Sequence, residues 1–439
     1  MTFRSYRAET RTLLGAQLVF NLGFYAVVPF LAGAMRTEYG LGVTAIGLVL
    51  GARTFSQQGM FLIGGVLADR WGARRAILIG CLVRILGYAT LAAASDFALF
   101  LLGAVLTGAG GALFSPALES RLSHADQPVE TEALVGGRKS HRSVFVWLAV
   151  IGEIGAVMGP VLGSVLLNWS FDAALAAGIG IFSAITILLW YRLPAEPARE
   201  TDISEADQAG SAAGPHFALR CLSDRRFVLF CLLASTNMLA YNQLYFAIPI
   251  ELSRRGLDGA WLGALFLLAS ALTLLLQLPV SAVGRRLGSG PALSIGFVLL
   301  SVAFTVAAIT SMHPGSSDAS LAPVVVTVAV LILGHMLLTP TILSLIPTFA
   351  TASGPAAGRG AYYGLAATCG GISVLAGNSA LGLLLDLTER QTWWPGTPWI
   401  PLILLPFLAA WALPRVLTSH RANRLSPSST KTDLSGKAG

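Results

Sequence analysis

Apolar residues in this chain run in unbroken blocks, and the blocks are parted by short charged or glycine- and proline-containing segments. A block of roughly 20 apolar residues is long enough for a helix to cross a hydrocarbon core about 30 Å thick. Twelve blocks meet that length: 12–35, 43–68, 76–95, 97–119, 143–168, 171–191, 227–250, 259–284, 290–312, 321–349, 360–386 and 398–417. The pattern predicts an all-α membrane protein with twelve transmembrane helices. The first block follows directly on a Thr/Arg/Glu-rich start, so it reads as a signal anchor rather than a cleaved leader.

One segment breaks the rhythm. Between 194 and 226 the chain carries Pro194, Glu196, Pro197, Arg199, Glu200, Asp202, Glu205 and Asp207, then Gly210-Ser211-Ala212-Ala213-Gly214. High charge and small polar residues predict a flexible cytoplasmic linker with a short amphipathic helix before span seven. The chain then divides into a six-helix bundle over 1–193, the linker 194–226, a second six-helix bundle over 227–418 and a flexible cytoplasmic tail over 419–439. The halves echo one another. Gln17, Asn21, Tyr25 and Pro29 in span one match Asn237, Tyr241, Tyr245 and Pro249 in span seven, but for an offset of 220 residues. Asp69-Arg70-Trp71-Gly72 after span two has a counterpart in Arg285-Arg286-Leu287-Gly288 after span eight. Duplicated halves around a midplane site are a transporter architecture.

Composition sharpens this. Hydrophobic residues make up 54% and charged residues 12%, against about 25% charged in soluble domains. Of 29 Lys and Arg, only Arg36, Arg254, Arg255 and Arg390 fall in loops on one side, and Arg53 and Arg84 fall inside spans. The other 23 lie on the side of the termini, which puts both termini in the cytoplasm of a multi-pass inner-membrane protein. The net charge of +7 is thus a topology signal, and no nucleic-acid module accompanies it. Cys81, Cys221, Cys231 and Cys369 show no metal-type spacing and no disulfide framework. No nucleophile elbow, Walker loop or metal cluster points to an enzyme. With no cofactor and no nucleotide loop, energy is expected from an ion gradient, here protons.

The polar exceptions inside the spans carry the candidate chemistry. Span five reads Gly152-Glu153-Ile154-Gly155-Ala156-Val157-Met158-Gly159-Pro160-Val161-Leu162-Gly163. Gly155, Gly159 and Gly163 share a helical face and let another backbone approach. Glu153 falls roughly 15 Å along the helix, near the bilayer centre, where an ionisable group is costly and usually functional. Two roles are open to it. It is either a proton-coupling acid or half of a static pair with Arg84 or Arg53. Asn21, Tyr25, Asn237, Tyr241 and Tyr245 would line a cavity whose ring faces suit small amphiphilic substrates; their other role is hydrogen bonding between helices. His335 is a further titratable candidate, with Gln277 and Asn378 behind it.

The run Gly64-Gly65-Val66-Leu67-Ala68-Asp69-Arg70-Trp71-Gly72-Ala73-Arg74-Arg75 resembles the loop signature between helices two and three of the major facilitator superfamily. Gly65 would allow close packing, Asp69 would cap a helix or pair with a base, and Gly72 would permit the turn. Arg70, Arg74 and Arg75 would form gating contacts, with Glu119 as partner of Arg74 or Arg75. Gly155-x3-Gly159-Pro160-x2-Gly163 resembles the antiporter signature of drug exporters in that superfamily, with Ser164 in place of its last glycine; it implies a packed, bendable helix between the halves. Gly23–Leu31, Arg53–Gly59, Arg84–Thr90, Gly108–Phe114, Asp224–Val228 and Arg359–Gly364 are similar to MdtH-type multidrug-resistance proteins. One departure stands out. Ala104 occupies a site where many such exporters hold an arginine, and Arg53 or Arg84 would take over its electrostatic role. The resemblance implies a monomeric drug/proton antiporter in a lipid bilayer. A narrow-specificity metabolite or peptide exporter is the alternative, and a non-transporting membrane sensor a more distant one.

Overall fold

The computed structural model describes residues 8–125, 144–194, 220–257, 259–311, 321–352, 359–391 and 393–425. Residues 195–219 of the expected linker lie outside these residues, as does the tail beyond Leu425. Fifteen α-helices and no strand occur among the described residues. The first half comprises α1 (Ala8–Thr37), α2 (Val43–Gly59), α3 (Phe61–Trp71), α4 (Ala73–Ala92), α5 (Phe97–Ala125), α6 (Val144–Leu167) and α7 (Phe171–Arg192). After the one-turn α8 (Arg220–Ser223) come α9 (Arg225–Asn242), α10 (Ala247–Arg254), α11 (Gly259–Leu287), α12 (Ser289–Thr310), α13 (Ala322–Ala352), α14 (Arg359–Gln391) and α15 (Ile400–Leu425). Among the described residues eleven stretches are long and apolar enough to cross a membrane, α9 and α10 together making one. The remaining predicted span is α2 plus α3, divided at Met60.

The breaks have local causes. Span seven stops at Asn242 and resumes at Ala247. Pro249 has no N–H to give to Tyr245, and a proline ring clashes with the carbonyl four residues back. The intervening amides of Gln243, Leu244, Tyr245 and Phe246 bond instead to carbonyls three residues back. Pro29 holds the matching place in the first half, yet α1 continues through it. Gly72 and Gly288 both turn the chain with positive φ, +84° and +82°. The two loops that echo each other in sequence therefore share their backbone solution, one that favours glycine. Asp224 starts α9 by accepting from the amides of Arg226 and Phe227, each at 3.1 Å.

Packing follows the glycines. α6 lies along α1, and an added methyl at Gly155 would fall 2.7 Å from Asn21 Cβ. One at Gly159 would strike Tyr25 Cβ and lie 3.0 Å from the Leu22 carbonyl, and one at Gly163 would strike Phe30. The helix lies between the halves, as its signature implies, but its glycine face packs on α1 of the same half. The boundary runs along the other side of α6, where Pro160 and Ser164 meet Gly263 of α11. The second seam is α2 against α14, with Gly47 and Gly51 under Asn378 and Leu375. The close packing expected at Gly65 falls instead on Gly64, which abuts the Ala112 carbonyl; a methyl on Gly65 would meet open space. Ile187, Leu275 and Leu278 stand exposed on the outside of the bundle, as lipid contact requires.

Gly159→Val should cost about 1–3 kcal/mol through overpacking, read as a lower melting temperature in detergent and less protein in the membrane. Gly180→Ala, whose methyl meets nothing within 4 Å, should leave both unchanged.

Candidate functional site

A cavity of about 310 Å³ lies between the halves. α1 supplies Tyr25, α6 Glu153, α9 Tyr241, α11 Phe266 and Gln277, and α13 His335 and Thr339. The helix packing places Glu153 there. Gly152 turns its face to α1, where Asn21 Nδ2 donates to the Gly152 carbonyl at 2.8 Å, and the next residue points away from that contact into the gap. Among the described residues the Glu153 carboxylate has neither an ion pair nor a hydrogen bond. Aromatic faces make up much of the wall: Tyr241 stacks on the His335 ring at 4.1 Å, and Tyr25 sits edge-on to Phe266 at 6.4 Å.

The remaining predicted cavity residues lie elsewhere. Asn21 is spent on the Gly152 carbonyl and on Gln17, whose Nε2 donates to it at 3.2 Å. Asn237 stands behind His335, with its Oδ1 3.0 Å from Nδ1, and its amide donates to Thr339 Oγ1 at 3.3 Å. Taking Asn237 Oδ1 as acceptor assigns the ring proton to Nδ1. Tyr245 is buried behind the wall, 5.2 Å from the Phe266 ring and 6.3 Å from Tyr241. Gln277 reaches the cavity while donating to Ser281 and the Met336 carbonyl.

Arg53 and Arg84 are buried, 5% and 1% exposed, and neither pairs with Glu153. Arg53 Nη2 donates to Gln57 Oε1 at 2.6 Å, and its guanidinium lies 4.6 Å from the centre of the Phe24 ring. Arg84 is surrounded by Phe24, Phe114 and Phe182 at 5.1–5.5 Å. The static Glu153–arginine pair, one of the two roles open from sequence, is therefore not formed in this structure. Gly111 makes room for Arg84, since a methyl there would fall 2.5 Å from Nη2. The glycine run of α5 was the sequence signal for that pocket.

At the end of the bundle remote from the chain termini, the halves are tied together. Glu389 of α14 takes both Arg36 of α1 and Arg254 of α10, each at 2.9 Å. Asp386 caps α2 across the seam, accepting from the amides of Val43 at 3.1 Å and Thr44 at 2.9 Å and from the Thr44 hydroxyl. Below these, Asn242 donates to Thr54 at 3.2 Å, Asn378 to Asn242 at 2.9 Å and Gln243 to Asn378 at 3.0 Å. Sequence reading missed all but Asn378 of this set, because single acids and amides at span ends carry no motif. The cavity lies on the other side of the clasp, reaching toward the terminal end through Gln277, Pro340 and Leu343.

In the α3–α4 loop, Arg74 donates to the Trp190 carbonyl at 2.8 Å and stacks on that ring. Glu119 forms no ion pair among the described residues, so its expected pairing with Arg74 or Arg75 is absent here. Arg70 and Arg75 are exposed. The Asp69 side chain lies outside the described residues.

The sequence model described as the Major Facilitator Superfamily matches residues 13–378. An uncharacterized MFS-type transporter of Mycobacterium tuberculosis is 31% identical over 423 residues, 95% of this chain and 95% of that protein. The multidrug resistance protein MdtH of Aeromonas hydrophila is 28% identical over 391 residues, 88% of this chain and 89% of that protein. In fold, the nucleoside transporter NupG superposes with a TM-score of 0.72 over 94% of this chain and 99% of that one, at 15% identity.

Asp386→Ala removes a cap from α2 and should cost about 0.5–2 kcal/mol, and it should loosen the seam. A cysteine at Leu375, packed under Gly51, should then react several-fold faster with a hydrophilic maleimide in purified protein lacking the four native cysteines. An unchanged rate would mean that the amide network alone holds the seam.

Proposed function

The chain belongs to the major facilitator superfamily, a family of multi-pass membrane transporters rather than enzymes, and from that premise we propose a secondary active exporter of amphiphilic drugs or secondary metabolites driven by proton entry. The carrying observation is Glu153, an acid on the wall of the cavity between the halves with no partner among the described side chains. An acid so placed can take up a proton when the cavity faces one side of the membrane and release it when the cavity faces the other. Alternating access supplies that exchange. The arrangement seen here, clasped at the far end and hollow toward the termini, fits one of its two states. By the distribution of Lys and Arg the hollow end is cytoplasmic, so this state would load substrate from inside a bacterial inner membrane.

The wall suits the proposed cargo. Tyr25, Tyr241 and Phe266 offer ring faces to planar apolar bodies, while Gln277, Thr339 and His335 offer scattered hydrogen-bonding groups. Few groups converge on any one point, which favours breadth over a single ligand. The driving force is adequate, since one charge crossing 100 mV yields about 2.3 kcal/mol and a pH gradient adds to it. The similarity to MdtH supports the drug-export part of the reading.

The test is accumulation of fluorescent amphiphilic dyes in efflux-deficient bacteria that express the wild type or Glu153→Gln. The wild type should lower accumulation, a protonophore should abolish that effect, and Glu153→Gln should behave like empty vector at equal membrane levels. Export by Glu153→Gln equal to wild type would remove Glu153 from coupling. Failure to export any dye of a broad panel would replace this reading with a narrow metabolite exporter.

A further inference from the structure

Two cations lie buried in the first half with no anion among the described residues to balance them. Arg53 on α2 and Arg84 on α4 each place the guanidinium over the same ring, Phe24. Arg84 is further enclosed by Phe114 and Phe182. Among the described residues neither has a carboxylate partner, and the buried Nε of each makes no hydrogen bond. Arg53 has one neutral acceptor, Gln57. Aromatic faces recover only part of what a guanidinium loses on leaving water, and the two like charges repel. Ionisable residues inside a membrane bundle mark substrate or ion pathways, and an anion drawn from such a pathway would complete this pair. Gly111, with no Cβ, leaves space beside Arg84 Nη2, so the pocket is shaped around the charge.

The position of the pair says what that anion is. Phe24, which touches both guanidinium groups, meets Tyr25 edge-on at 4.9 Å, and Tyr25 lines the cavity. Phe24 and Gln57 are only partly buried, and Phe24 stands between the arginines and the cavity-lining Tyr25. We propose that Arg53 and Arg84 form a binding site for the acidic group of the transported molecule, so that the preferred cargo is an amphiphilic organic acid whose apolar body rests on Tyr25 and Tyr241. Phe24 is the partition that turns aside to admit the carboxylate. This rests on the cavity being the substrate site, as proposed above, and it narrows the cargo from amphiphiles in general to those bearing an acid.

Equilibrium binding of naphthoate and of naphthamide to the full-length protein in nanodiscs, corrected with empty nanodiscs, compares one ring system with and without the charge. Wild type should bind naphthoate about tenfold more tightly or better. Arg53→Met and Arg84→Met should each bring the two ligands within about twofold, with naphthamide affinity unchanged and with a raised melting temperature in the absence of ligand. A merely structural pair would lower that melting temperature and leave ligand preference alone. Equal binding of the two ligands by wild type would overturn the proposal, and this arm decides even if both variants fail to fold. Loss of the naphthoate preference in millimolar chloride would assign the site to inorganic anions and overturn it as well. If naphthamide binds and naphthoate does not surpass it, only the acid preference falls; if neither binds, the cavity reading falls with it.

Discussion

Hydrocarbon offers a polar group nothing to bond to, and this one constraint shapes the molecule. It forces the backbone into helices, and it forces every side-chain donor and acceptor inside the bundle to find a partner in the protein. Most have done so. Asn21 is matched to the Gly152 carbonyl, Ser56 to the Val105 carbonyl, and Ser301 to the Ile403 carbonyl. Where span seven breaks, Asn242, Gln243, Asn378 and Thr54 close a chain of amides and a hydroxyl across the gap. Against that background Glu153, Arg53 and Arg84 stand apart for lack of a countercharge among the described residues. The constraint satisfied so widely elsewhere makes these exceptions informative.

The same constraint explains why glycine carries so much of the packing. Apolar side chains gain little by leaving lipid for one another, so helices hold together by close approach and by dispersion contact. α6 is seated on α1 by Gly155, Gly159 and Gly163, and Gly80, Gly87 and Gly110 hold α4 against α5. These contacts lie inside one half. Between the halves, Gly47 and Gly51 likewise bring α2 close to α14, and ion pairs and a helix cap are added at the far end.

Helix number, helix limits and the duplication were legible in the sequence because they depend on local hydrophobicity and on turn glycines. Gly72 and Gly288 adopt the backbone that their matched loops implied. The site was legible in part. Glu153, Tyr25, Tyr241 and His335 meet in one cavity, having been selected as polar residues within apolar spans. Asn21 and Tyr245 were selected on the same ground but point elsewhere, because a stripe with a spacing of four fixes a helical face and leaves open which neighbour that face meets. The span-five glycines show the same limit: their face was clear, while its partner, α1 rather than the opposite half, depends on tertiary arrangement. Arg36 gave only a topology signal, and Asp386 and Glu389 none, since loop-edge charges look alike until the fold brings spans one, two, seven and eleven to one corner.

The division of charge between the halves bears on how such a machine could be coupled. Glu153, Arg53 and Arg84 all belong to the first half, whereas the second half lines the cavity with Tyr241, Gln277, His335 and Thr339. Glu153 sits on α6, whose glycine face is packed on α1 and whose other face meets Gly263 of α11. A rocking of the second half therefore leaves the surroundings that Glu153 draws from its own half intact and changes only what covers it from across the gap. Covering and uncovering is the alteration that moves a carboxyl between its charged and neutral forms, because charge is favoured by water and disfavoured by apolar contact. The seam at Pro160, Ser164 and Gly263, where small residues allow sliding without a clash, is thus the mechanical element through which protonation and access would act on each other.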